Sequence, residues 1–379
     1  MNKFTKFGAI AFLIGLGTTT LFAQEKEEEK SIYQFTETVN VKHTPVDNQG
    51  SSGTCWCFAG VGFVEAEILR QYGKELNLSE MYLVRNAWNE KVVKYVKMHG
   101  LNTLSQGGEV CDVLYMIDKY GMMPESAYTG KVIGEERHMH NEMNEVITGF
   151  AKSVTKRSNG KLTPTWQKAM PGIFDAYLGE VPADFTFEGK KYTAKSFAEA
   201  YPISSDNYVE IASFTDQPLN KPFMVEIPDN WTWTPAYNLE FDRLFEALDY
   251  ALEHGYTVGW AQDVSDKGFS RKLGVAIVPE DFDNPKLWEE VVKEKTITAE
   301  DHQKAFDNWE TTDDHSMLIV GIAKDQNGTK YYKVKNSWGE AGPYKGYWYC
   351  SESFVRLHTV FFTLHKDALS KAMRKDLGL

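Results

Sequence analysis

A cysteine where a Gly/Ser loop gives way to an apolar run is the residue of this 379-residue chain best suited to covalent chemistry. It is Cys55, within Gln49-Gly-Ser-Ser-Gly-Thr-Cys-Trp-Cys-Phe58. Phe58, Val61, Val64, Ile68 and Tyr72 recur at helical spacing behind it, and Gly73 stands where such a helix would stop. A thiol in the first helical turn faces unpaired backbone N–H groups and the positive end of the helix dipole. Both favour the thiolate. Gln49, six residues upstream, carries an amide able to reach back to a developing oxyanion. Read singly, such a cysteine is more often a buried thiol than a nucleophile. A nucleophile also needs a base and something to orient that base.

Among nine histidines, His315 is set apart by position. It opens the apolar run to Ala323, which an Asp325-Gln-Asn-Gly328 turn separates from a second run, Lys330–Asn336. Asn-Gly between apolar runs signals a β-hairpin. If Lys324 and Thr329 flank the turn, His315 and Asn336 are diagonal neighbours, about 7–8 Å apart at the backbone and within side-chain reach. An amide beside an imidazole fixes the ring and its tautomer without adding charge. Trp338, two residues on, is placed to shield that bond from water.

These side chains require helices followed by strands. Helices are expected over Ser79–Asn89, Val110–Tyr120 (stopped at Gly121) and Leu239–His254; strands over Tyr256–Ala261, His315–Ala323, Lys330–Lys335 and Gly346–Cys350. That order gives an α+β fold with a helical lobe against a sheet lobe. The expected divisions are a signal peptide at 1–23, a charged leader at 24–40, and a mainly helical lobe at 41–254 with an insertion at about 130–235. A β-rich lobe at 255–365 and a C-terminal arm at 366–379 complete them. Lys3 and Lys6 before the apolar run Phe7–Leu16, with Ala23 as a small residue, read as an export signal, so a secreted or periplasmic protein is expected. No later run has the length of an integral membrane segment. Removing Lys3 and Lys6 takes the formal charge from −12 to −14, which disfavours nucleic-acid binding. Four cysteines are too few for a disulfide scaffold, and Cys57, Cys111 and Cys350 read as small buried hydrophobes.

In combination, Gln49-x5-Cys55-Trp56, the strand-opening His315, Asn336-Ser-Trp-Gly339 and Gln106-Gly-Gly108 resemble the papain-type cysteine peptidases. The resemblance implies Cys55 as nucleophile, His315 as general base and acid, and Asn336 as orienter. Gln49 and the Cys55 N–H would form the oxyanion hole. Gly107, Gly108 and Trp338 would lie on the substrate side. No cofactor and no metal are implied, and the substrates would be peptides. Ser52 stands where the family usually has a disulfide-forming cysteine, and 260 residues separate Cys55 from His315, against ~130–150 in simple papain-like enzymes. The long insertion, Asp313-Asp-His-Ser-Met317 and Lys335-Asn-Ser-Trp-Gly339 are similar to the bleomycin hydrolase/aminopeptidase C branch. That branch implies an aminopeptidase, a homo-oligomer (a hexamer), and a C-terminal arm whose carboxylate captures the substrate's free amine. Alternative readings are a papain-type endopeptidase, a dipeptidyl-peptidase, an acyl transferase, or a non-catalytic peptide-binding protein of the same fold.

Two further signals carry less. His138 and His140, read on a helix, point about 200° apart and do not share an ion. The aromatic run Asn230–Tyr237 reads as packing between lobes.

Overall fold

Helix α1 (Cys55–Tyr72) is buried on nearly every side from Trp56 to Ile68, so it has no solvent face to make amphipathic. Its two interior glycines, which weaken an isolated helix, mark where neighbours come closest. A Cβ on Gly60 would sit 2.5 Å from Val113 of the adjacent helix, and one on Gly62 would be 3.2 Å from the Lys335 ammonium. Packing therefore supplies the stability that intrinsic propensity withholds. The computed structural model describes residues 31–157 and 160–379. The expected signal peptide and the start of the leader lie outside them.

Around α1 pack α2 (Glu80–Lys97), capped by the Ser79 hydroxyl, and α3 (Val110–Tyr120), which ends before Gly121 as its sequence predicts. Helices α4 (Asn141–Thr155), α5 (Thr165–Leu178) and α6 (Ala194–Ala200) extend this helical half, with α7 (Phe241–Glu253) on the sheet beyond it. Two short helices, α8 (Ala299–Asp307) and α9 (Glu352–His358), and the terminal α10 (Lys371–Leu377) complete the described set.

The strands are β1 (Thr36–Asn40), β2 (Phe185–Phe187), β3 (Lys190–Tyr192), β4 (Tyr208–Ala212), β5 (Pro222–Met224), β6 (Pro235–Asn238) and β7 (Val258–Gln262). After them come β8 (Phe269–Ser270), β9 (Val275–Ala276), β10 (His315–Lys324), β11 (Lys330–Lys335), β12 (Tyr347–Ser351) and β13 (Thr359–His365). All but the β2–β3 hairpin join one sheet, ordered β5-β6-β4-β13-β7-β10-β11-β12-β9-β8 with β1 on β10. Strand β10 is the organising element. Its first half pairs with β7, its second half with β1, and its other edge with β11. The hairpin pairs Lys324 with Lys330, one residue off the expected register. A bulge between Ile319 and Gly321 takes up the difference, and Leu318 pairs with Lys335 as the turn arithmetic requires.

The expected boundaries move in two places. Residues 36–40, assigned to the charged leader, are a strand on β10. The insertion contributes β4, β5 and β6, so the sheet begins well before residue 255. Strand β4 is buried throughout and pairs with β13, a strand the sequence reading missed. The C-terminal arm is helical, as its pattern suggested, with Met373 and Leu377 buried against the sheet core.

Candidate active site

Cys55 is the first residue of α1, with the Thr54 carbonyl accepting from the Cys57 and Phe58 N–H groups. It lines a cavity of about 350 Å³ together with Gly107, Gly108, Asp229, Asp313 and His315. His315 opens β10 and is almost fully buried. Its Nε2 lies 2.8 Å from Asn336 Oδ1, which also accepts the Ser337 N–H at 2.7 Å. Two donors into one oxygen fix the Asn336 amide, and that in turn places the imidazole proton on Nε2. Nδ1 is then the basic nitrogen on the ring that borders the cavity. The Trp338 indole lies over His315, ring centroids 5.0 Å apart, with the Arg271 guanidinium on its other side. Trp338 thus covers the imidazole and does not line the cavity with Gly107 and Gly108.

Gln49 is held from both ends of its amide. Oε1 accepts the Ser337 hydroxyl at 2.6 Å, and Nε2 donates to the Ser52 carbonyl at 2.7 Å, leaving one amide proton for another acceptor. Backbone bonds from Gln49 N to Ser337 O and from Gly339 N to Asp47 O tie this loop to the segment that bears Asn336. Ser52, where the family pattern has cysteine, caps the loop instead. Its hydroxyl donates to Gln49 O at 2.7 Å. All four cysteines are free thiols. His138 and His140 do not lie on a helix interior but precede α4. Their backbone brackets Ser51 (Ser51 N to His138 O 2.7 Å, His140 N to Ser51 O 3.1 Å), pinning the loop ahead of Cys55.

The Gly107–Gly108 loop is locked to the cysteine loop from the other direction. Gln106 accepts the Gly53 N–H on its side chain and the Trp56 indole N–H on its carbonyl, each at 2.9 Å. Buried Lys91 donates to the carbonyls of Ser105 and Gly107. Both glycines are required by close approach. A Cβ on Gly107 would run into the Asp229 carboxylate, and one on Gly108 would meet Asp112 and the Trp56 ring.

Burial dominates the electrostatics. It pushes the Cys55 thiol up to about 12, with the Ser316 and Trp56 backbone only partly opposing it and Asp313 and Asp229 adding to it. It pulls His315 down to about 4, against the Asn336 bond that favours the charged ring. Burial of the cleft thus works against the thiolate and the imidazolium, while the helix end and the Asn336 bond favour them. Glu109 is sealed from solvent, and its neighbour is the Asp313 carboxyl. Burial raises both groups, Asp313 to about 7, and the Asp313 carboxyl raises Glu109 further.

The profile of the Peptidase C1-like family matches residues 14–378. The chain belongs to that family. Curated relatives include Aminopeptidase C of Lactococcus lactis subsp. cremoris, 26% identical over 86% of this chain and 82% of that protein. Aminopeptidase C of Listeria monocytogenes is likewise 26% identical, over 86% and 81%. A crystal structure of PepW from Lactobacillus rhamnosis superposes with a TM-score of 0.71 at 22% identity, covering 90% of this chain and 84% of that one. These findings establish a papain-like α+β cysteine peptidase of the aminopeptidase C branch.

Of the residues chosen from sequence, Cys55, His315, Gly107 and Gly108 border one cavity, with Asn336 and Gln49 immediately behind it. The sequence reading missed Asp229. Nothing local marks it, because it reaches the cavity only through the fold of the insertion. Asp112 makes that connection. Its carboxylate accepts Glu109 N at 2.8 Å, Trp231 Nε1 at 2.6 Å and Thr232 Oγ1 at 2.8 Å, which binds the aromatic segment of the insertion to the Gly-Gly loop.

Proposed function

We propose that this chain is an exported cysteine aminopeptidase working through Cys55, His315, Asn336 and Gln49. The observation that carries the reading is the Nε2–Asn336 bond, which leaves His315 Nδ1 as the base on a cavity shared with Cys55. His315 Nδ1 takes the Cys55 proton as Sγ attacks the scissile carbonyl carbon. The oxyanion receives the Cys55 N–H and the remaining Gln49 amide proton. His315 then passes the proton to the leaving amine, the C–N bond breaks, and the acyl group rests on Sγ as a thioester. Water, deprotonated by His315, releases the acid and restores the thiol.

Restriction to free amino termini rests on the names of the relatives, several of which are aminopeptidases. It is tested by comparing free-amine and N-acetylated aminoacyl amides. Cleavage of the free amine alone supports it, and equal cleavage of both refutes it. Export rests on the Lys3–Ala23 pattern and is tested by sequencing the amino terminus of the mature protein recovered outside the cytoplasm. Homo-oligomer assembly rests on the branch resemblance, and light scattering of the purified chain reads it directly.

A further inference from the structure

The cavity beside Cys55 has an uneven charge. Asp229, Asp313 and Asp314 line it, and no lysine or arginine does. The three carboxylates are not equivalent. Asp313 is committed to Glu109 behind the wall, and Asp314 accepts the Val264 N–H at 2.9 Å. Asp229 has one oxygen tethered by the Ser105 hydroxyl at 2.9 Å, while the other lies over the Cα of Gly107. Among the described residues Asp229 takes part in no ion pair. The nearest buried cation, Lys91, is spent on the carbonyls of Ser105 and Gly107. The buried His315 ring lines the same cavity with Nδ1 not engaged by Asn336, so the base and the Asp229 carboxylate share one small volume.

The C-terminal arm does not compete for this position. Leu379 lines a different cavity of about 560 Å³, bounded by Lys94, Glu210, Trp231 and Lys366, and Cys55 and His315 are not among its walls. Leu379 N bonds to Arg374 O at 2.9 Å, folding the end of the chain onto α10.

Resting on the aminopeptidase reading, we infer that Asp229 is the anchor for the substrate's free α-ammonium and so sets the exopeptidase specificity of the Cys55 cleft. The free α-ammonium sits on the same residue as the scissile carbonyl, about 2.5 Å from its carbon, so one cavity of about 350 Å³ holds both. The carboxylate packs against Gly107 on the wall of the cavity that Cys55 also lines. An N-acetyl group would bring a neutral, bulkier amide to a charged acceptor and lose the ion pair.

The test compares kcat/KM for leucyl and N-acetyl-leucyl 7-amido-4-methylcoumarin. Asp229→Asn keeps the shape and the bond from Ser105 but removes the charge. The expected result is a ten- to hundredfold fall in the free-amine to blocked-amine ratio. Ser105→Ala, which only loosens the carboxylate, should lower the same ratio a few-fold and covers the case of a misfolded Asp229 variant. Deleting Leu379 should leave the ratio unaltered. A wild-type-like ratio in both Asp229→Asn and Ser105→Ala overturns the inference, as does collapse of the ratio on deleting Leu379. If the wild-type enzyme itself shows no preference for the free amine, the aminopeptidase reading fails with it, and the two failures are told apart by that single control.

Discussion

The cleft has two walls built on different principles. One carries Gln49 to Trp56 and His315 to Trp338. Its side chains are set by short-range geometry: a helix start, a hairpin, and a two-bond backbone tie between residues 47–49 and 337–339. The other carries Ser105 to Asp112, Asp229 and Asp313. Its Ser105–Asp112 loop and the segment around Asp229 come from distant stretches held by single buried groups, Lys91 and Asp112. As proposed, the first wall does the chemistry and the second selects which peptide end approaches. The difference shows where each kind of function is stored: reaction type in local spacing, selectivity in long-range packing.

The largest effects should come from breaking the first wall. Cys55→Ala is expected to lose at least about 10⁴-fold in kcat with the fold intact by circular dichroism. Gln49→Ala removes one oxyanion donor and should cost about 10²-fold in kcat, with KM little changed. The second wall should respond differently. Asp112→Ala strands two buried donors and one part-buried one, so urea unfolding should show a loss of about 2–4 kcal/mol, and KM should rise while kcat falls less. A Gln49-like pattern in Asp112→Ala would erase the distinction between the walls.

A pH profile sharpens the comparison further. Burial holds His315 down to about 4, so the base stays unprotonated across the neutral range and is lost only as pH falls through that value. The acid limb of kcat/KM should therefore lie near pH 4, far below the usual imidazole range near 6.5. Because the Asn336 bond favours the charged ring, Asn336→Ala should move the limb lower still while reducing kcat. A limb at 6–7 would mean that His315 is not desolvated as described. The smallest effect is expected for Trp338→Ala, a few-fold in kcat, since the indole covers His315 without lining the cavity.

The legibility of the sequence follows the same division. Helices α1, α3 and α7 and strands β10 and β11 could be read because period, capping glycines and an Asn-Gly turn are local signals. His315 and Asn336 could be paired because a hairpin converts sequence distance into spatial distance. Strand β13 was missed although it is apolar and β-branched, since nothing nearby announces its partners β4 and β7. The insertion read as elaboration because its strands are three to five residues long and find their places only against that missed strand. Asp229 inherits this opacity. The helix end beside Cys55 is visible in sequence, whereas the burial that opposes its thiolate depends on residues brought in by the fold.

The central claim is that the acyl group passes through Cys55. Incubating the enzyme with a slowly deacylated aminoacyl ester, quenching in acid and mapping peptides by mass spectrometry tests it directly. The adduct should fall on Cys55 alone, absent from Cys55→Ala and strongly reduced in His315→Ala. An adduct on Cys57, Cys111, Cys350 or a serine, or undiminished turnover by Cys55→Ala, would contradict it.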